Sequence, residues 1–168
     1  APNLWSYFTE EEAYDLWTLY NRRHYSEYGA SKYTQGKAPF KVQVLLKNFL
    51  ETADTIVGRK DYHGATLRFG HEVYLMPLAA IMELGHVGET IENTDTLDRV
   101  WVNSNIFPMG GNIQLVFYRP KKGKDGDILV KALLQEREVT LPVTPVKFPY
   151  YKWEDLRKYY LRKLASVQ

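Results

Sequence analysis

At 168 residues the chain is long enough for one domain with a sizeable core and too short for two of ordinary size. Its 45% apolar and 25% charged residues exclude a disordered chain, a collagen-like repeat and a pure coiled coil. Twenty-two basic against twenty acidic side chains leave a formal charge of +2, which argues against nucleic acid as partner, and the lack of cysteine excludes disulfides, thiolate zinc sites and cysteine nucleophiles.

Aromatic residues reach 14%, with Tyr 13, Trp 4 and Phe 7, a composition suited to broad amphipathic surfaces. No apolar run approaches the ~20 residues of a membrane helix, so no membrane span is expected. The start, Ala1-Pro2-Asn3, has neither an initiator Met nor a signal-like apolar core and reads as the interior of a longer precursor.

Thr9-Glu10-Glu11-Glu12 has the form of a capping box, and Ala13, Leu16, Trp17 and Tyr20 follow at helical spacing. These predict a helix over 9–28, stopped by Gly29. After a polar loop over 30–39, Val42, Leu45, Leu46, Phe49, Leu50, Ala53, Ile56 and Val57 predict a second amphipathic helix. Residues 65–70 read as a short strand, and an apolar helix over 73–84 should begin just after His71, which keeps Pro77 near the first turn; Gly85 ends it. A polar loop over 85–98 follows, then strand-like runs over 99–107 and 112–119 separated by Pro108-Met109-Gly110-Gly111, and a turn over 121–127. Residues 128–135 should pair with the preceding strand as a hairpin. Pro142, Pro145 and Pro149 force an extended connection, and 153–164 closes the chain as a helix. This order predicts an α/β fold, a mixed sheet flanked by helices.

The informative point is His71-Glu72, where the expected strand ends and a helix begins. Ligands in open α/β sheets collect at the carboxyl ends of strands, and a helix amino terminus favours an anion. A His that holds phosphate oxygens beside an acid that protonates a departing alcohol suits phosphoryl transfer. The dipeptide alone reads first as a boundary His and a favourable first-turn carboxylate.

The run Leu67-Arg68-Phe69-Gly70-His71-Glu72, followed by Leu75 and Pro77-Leu78, resembles the second signature of the histidine acid phosphatases, in the branch of multiple inositol polyphosphate phosphatases and phytases. Ile106-Phe107-Pro108-Met109-Gly110-Gly111-Asn112 with Leu115-Val116-Phe117-Tyr118-Arg119 is similar to the family's proline loop and next strand. The run from Leu133 to Pro142 resembles its next hairpin, Trp153-Glu154-Asp155-Leu156 its terminal helix, and residues 13–29 the helical region before the second signature. The resemblance implies a carboxyl-terminal part of a single histidine phosphatase domain over 1–168, with 1–64 helical and 65–168 carrying the strand-helix unit, hairpin strands and closing helix. It implies that His71 binds phosphate and Glu72 donates the proton, and it requires no metal or cofactor. Many relatives have His-Asp at this point and the inositol polyphosphate branch commonly has His-Ala-Glu, whereas Glu72 follows His71 directly.

The family's phosphorylated His lies in an Arg-His-Gly-x-Arg-x-Pro motif that this sequence lacks: its Arg23-His24 continues as Tyr25-Ser26-Glu27 inside a predicted helix. His24 is therefore read as part of a solvated helix face, not as a nucleophile. A metal site shared by His63, His71 and His86 is disfavoured by their spacing. Arg68, on a strand expected to be covered on both faces, either pairs with a carboxylate or faces bound phosphate. Met109-Gly110-Gly111-Asn112 either bring Met109 and Asn112 to the substrate or form an ordinary turn. Arg22, Arg23, Lys32 and Lys37 read as a solvated surface before a polyphosphate clamp. The terminal helix, with Lys152, Arg157, Lys158, Arg162 and Lys163 beside Trp153, Tyr159 and Tyr160, packs its aromatics on the core before it suits an anionic membrane.

The expected function is part of a phosphomonoesterase of inositol polyphosphates such as phytate, inactive alone, completed by an amino-terminal segment that carries the nucleophile motif, on the same polypeptide or as a separate chain. The family implies a periplasmic, cell-surface or secreted location. The alternatives are a non-catalytic module that binds phosphorylated ligands and a structural partner whose exposed apolar surface completes another subunit.

Overall fold

The computed structural model describes residues 4–59, 63–121 and 125–166. Helix α1 (Glu10–Tyr28) starts on the expected capping box: the Thr9 hydroxyl accepts from the Glu12 N–H at 3.2 Å and the Glu12 carboxylate accepts from the Thr9 N–H at 2.8 Å. The connection to α2 (Gln43–Gly58) is two 3-10 turns, Lys32–Thr34 and Ala38–Val42, rather than open loop, and α2 buries Leu46, Leu50 and Ala53.

Helix α3 (Glu72–Ile81) begins directly after His71, as expected, but Pro77 lies in its second turn and not its first. Met76 to Met82 are all buried, so α3 runs through the core with nearly every side covered. The chain then turns through Gly85 at φ +56, whose N–H donates to Thr140 O.

Two expected strands are corrected. Residues 65–70 have no regular secondary structure and pair with none of the strands among the described residues, all of which come from later in the chain. Residues 99–107 are not extended either: they hold two short helical turns, α4 (Leu97–Val100) and α5 (Asn103–Ile106). Side chains decide the second case. The Asn21 amide takes up Trp101 O at 2.7 Å and the Asn103 N–H at 2.8 Å, so backbone groups a strand would have paired are bonded to α1.

The sheet has strands β1 (Ile113–Tyr118), β2 (Leu129–Leu134), β3 (Arg137–Val139) and β4 (Tyr151–Lys152). Strand β2 pairs with each of the others, and all the pairings are antiparallel. The expected β1–β2 hairpin is present with Ile113 opposite Leu134 and Tyr118 opposite Leu129; part of its turn lies outside the described residues. Gln135 and Glu136, at φ 53 and 63, make the two-residue turn into β3.

Helix α6 (Trp153–Ala165) closes the chain by laying Trp153, Leu156 and Tyr160 on the core, with the Tyr160 hydroxyl donating to Met82 O at 2.8 Å. The aromatic row thus packs inward, while its cations pair with carboxylates: Arg157 Nε bonds both oxygens of Asp54 at 2.8 Å, and Lys158 and Lys152 meet Glu154 and Asp127 at 3.1 and 2.8 Å. The architecture is α/β, a four-stranded sheet with helices around it, and the buried residues of α1, α2, α3, α6 and the sheet form one core. No helix among the described residues is long and apolar enough to cross a membrane.

Candidate functional site

His71 is the N-cap of α3 with extended backbone (φ -94, ψ 161), and no side chain caps the helix. Glu72 occupies the first helical position, and both residues are exposed. The amino terminus of a core helix is thereby presented at the surface with a His and a carboxylate in place of a hydroxyl cap. Unpaired N–H groups of a first turn attract anions.

The Glu72 charge is felt by the rings of His24 and Tyr28 in the carboxyl-terminal half of α1. Lys41, from the 3-10 turn before α2, places its Nζ over the Tyr28 ring at 4.0 Å. Burial pushes the Lys41 ammonium down from its ordinary value, opposed by the Glu27 carboxylate, and Glu27 is itself held low first by its hydrogen bond from Arg23, at 2.8 Å. The approach to α3 thus carries both signs of charge.

His24 is the residue the sequence reading misplaced. It is not on a solvated face: it is 7% exposed, packed between Tyr20, Tyr28 and Phe107, with Nδ1 3.1 Å from the Asn103 side-chain nitrogen. The spacing of Tyr20, His24 and Tyr28, four residues apart along one helix face, was the available signal. Burial lowers its pKa, with Glu27 raising it, Arg23 lowering it and Glu72 raising it in decreasing order.

Arg68 also departs from expectation, since it is exposed rather than enclosed in a two-sided strand. Its Nη2 donates to Asn48 Oδ1 at 2.8 Å and to Thr52 Oγ1 at 2.7 Å, and its guanidinium lies over the Phe49 ring at 4.3 Å. These partners on α2 are uncharged, so they fix the side chain without neutralising it. Leu67 and Phe69, on either side of it in sequence, are 73% and 93% exposed.

Met109 is fully exposed, and Asn112 is half-buried with local partners: its N–H donates to Gln135 Oε1 at 2.8 Å and its Oδ1 accepts from Gln114 Nε2 at 3.0 Å. None of these Asn112 contacts reaches His71 or Glu72. The Gly pair serves the turn. The Gly111 N–H bonds Pro108 O at 2.8 Å, Gly110 takes φ +74, and a side chain at Gly111 would meet Pro108 O at 2.9 Å.

Three of the scattered cations are surface residues with partners: Arg22 with Asp95 at 3.7 Å, Arg23 with Glu27, and Lys32 with Glu92 O at 2.6 Å. His86 Nδ1 lies 2.6 Å from the Glu89 carboxylate, and no group of three His, Asp or Glu among the described residues is placed to hold a metal ion.

No family profile matches the sequence, and no curated protein matches it. Solved structures do. The Bifidobacterium longum multiple inositol polyphosphate phosphatase in complex with inositol hexasulfate is 28% identical over 83% of this chain and 30% of that chain, with a TM-score of 0.69. The apo and phosphate-complexed forms of the same enzyme give 28% identity and a TM-score of 0.66 over 82% of this chain and 30% of theirs. The chain therefore shares the fold of a part of these phosphatases and spans 30% of their length.

Proposed function

We propose that this chain, similar in fold over most of its length to multiple inositol polyphosphate phosphatases, is the carboxyl-terminal part of a single phosphatase domain acting on inositol polyphosphates such as phytate. The nucleophilic His of such an enzyme lies on a segment outside these residues, since Arg-His-Gly-x-Arg-x-Pro does not occur in them. His71 steadies the phosphate at the amino terminus of α3, and Glu72 protonates the departing alkoxide. Arg68 adds a positive charge fixed by α2, and Met109 and Asn112 stand on the substrate side only if the rest of the enzyme brings substrate to their loop. No metal or cofactor enters the scheme, and the family's periplasmic, cell-surface or secreted setting is part of the proposal.

The observation that carries this reading is an exposed His-Glu pair at an uncapped amino terminus of a core helix, in a chain with this fold. The exposed Leu67 and Phe69 support it further, as apolar groups this chain does not cover. In the complete enzyme Glu72→Gln should slow phytate hydrolysis by about 10²–10⁴-fold. His71→Ala should weaken binding of phosphate as well as turnover. A Gln variant that hydrolyses phytate at the parent rate would reject the proton-donor role.

The second reading is a non-catalytic module for phosphorylated ligands or a structural partner subunit, and a reading frame with no upstream Arg-His-Gly-x-Arg-x-Pro would favour it. Intact-mass analysis of the purified material separates the two. A companion segment bearing the motif makes an enzyme; phosphate-ligand binding with no such segment makes a module.

A further inference from the structure

His24 is a buried titratable residue that the proposed phosphatase chemistry does not use, and its surroundings fix its protonation state. The Asn103 side chain has one orientation that satisfies its neighbours: its Oδ1 accepts the Ser104 N–H at 2.7 Å and the Trp17 indole N–H at 3.2 Å. Its Nδ2 is therefore the atom turned to His24 Nδ1, at 3.1 Å, and an amide nitrogen only donates. Nδ1 must accept, so the ring is the neutral tautomer with its proton on Nε2.

We propose that His24 is an acid-operated latch: its neutral ring, beside the Asn21 and Trp17 bonds, holds Asn103, and with it α5, against α1, and protonation of the ring loosens that hold. A proton on Nδ1 sets two donors against each other in a buried site. Flipping the Asn103 amide gives no escape, because its nitrogen would then face the Ser104 and Trp17 donors. The groups facing the ring are Tyr20, Arg23, Glu27 and Tyr28 from α1, Glu72 from α3 and Phe107 after α5. Burial is the largest influence on the ring and opposes its charging, so the latch opens below the ordinary histidine range. The inference does not depend on the phosphatase reading.

The test is nuclear magnetic resonance on the whole protein that carries these residues, following the His24 ring nitrogens and the protection of the Asn103 and Ser104 amides, with α6 amides as reference. At neutral pH, Nδ1 should be unprotonated. As the ring protonates, protection at Asn103 and Ser104 should fall by about tenfold for each unit by which release raises the ring pKa, while α6 is unchanged. In His24→Gln, whose amide oxygen accepts from Asn103 without titrating, the step should vanish. A protonated Nδ1 at neutral pH, a ring that stays neutral until the whole chain unfolds, loss of α6 protection in the same step, or an equal step in the Gln variant would each overturn the proposal.

Discussion

The Tyr25 hydroxyl joins the end of α1 to the segment around Glu89 and Ile91, more than sixty residues later in the chain. It accepts the Ile91 N–H at 2.8 Å and lies 3.3 and 3.4 Å from the carbonyls of Ala30 and Glu89, while its ring meets Trp101 edge-on at 5.4 Å. Removing the oxygen leaves a buried N–H without a partner and costs more than the bond itself is worth. Tyr25→Phe should therefore lower unfolding free energy by about 1–3 kcal/mol in a urea titration; a variant with the parent midpoint would mean that water or a neighbour replaces the hydroxyl. The aromatic character of position 25 is plain in the sequence, but the polar role of its hydroxyl is not, because Glu89 and Ile91 reach it from the distant segment over 85–98.

At the scale of elements, local patterning worked where the chain's own neighbours complete the structure. The capping box at Thr9 needs only residues within one turn, and it starts α1 where the sequence places it. Thr9→Ala should cost about 1 kcal/mol, read as a lower thermal midpoint and faster amide exchange in the first turn of α1; unchanged exchange there would show that the preceding 3-10 turn holds the end instead. Patterning failed for 65–70 and 99–107 for different reasons. The first run has strand-forming residues but no strand to pair with among the described residues, and a lone strand leaves its backbone groups without ladder partners. The second is apolar because Trp101 and Ile106 anchor it in the core beside short helical turns, and a run this short does not tell a strand from such turns.

For the whole molecule, buried phenols make the response to alkali a test of the core. Tyr159 donates to Glu83 at 2.8 Å and is pushed up to about 12, by burial first and then by that carboxylate, and the fully enclosed Tyr160 is raised by burial as well. An acid whose folded-state pKa is raised holds its proton in the native state after the unfolded chain has lost it. Unfolding free energy should thus be steady below the ordinary tyrosine value near 10 and fall as pH rises from there towards about 12. Urea midpoints at pH 9 and 11 should differ in that sense, and Tyr159→Phe should reduce the difference; an equal midpoint at both would place these rings in contact with solvent. The sequence by itself determined helices α1, α2, α3 and α6, the β1–β2 hairpin, the inward aromatics of α6 and the His71-Glu72 start of α3, all features written in spacing, caps and turns. Only the tertiary structure decided that His24 is buried against Asn103, that Arg68 lies on α2 and that Asn112 serves its own turn. At His24 and Arg68 the outcome depends on side chains from other segments meeting: the aromatic spacing around His24 marks a packed helix face, but no local pattern names the Asn103, Asn48 or Thr52 partner.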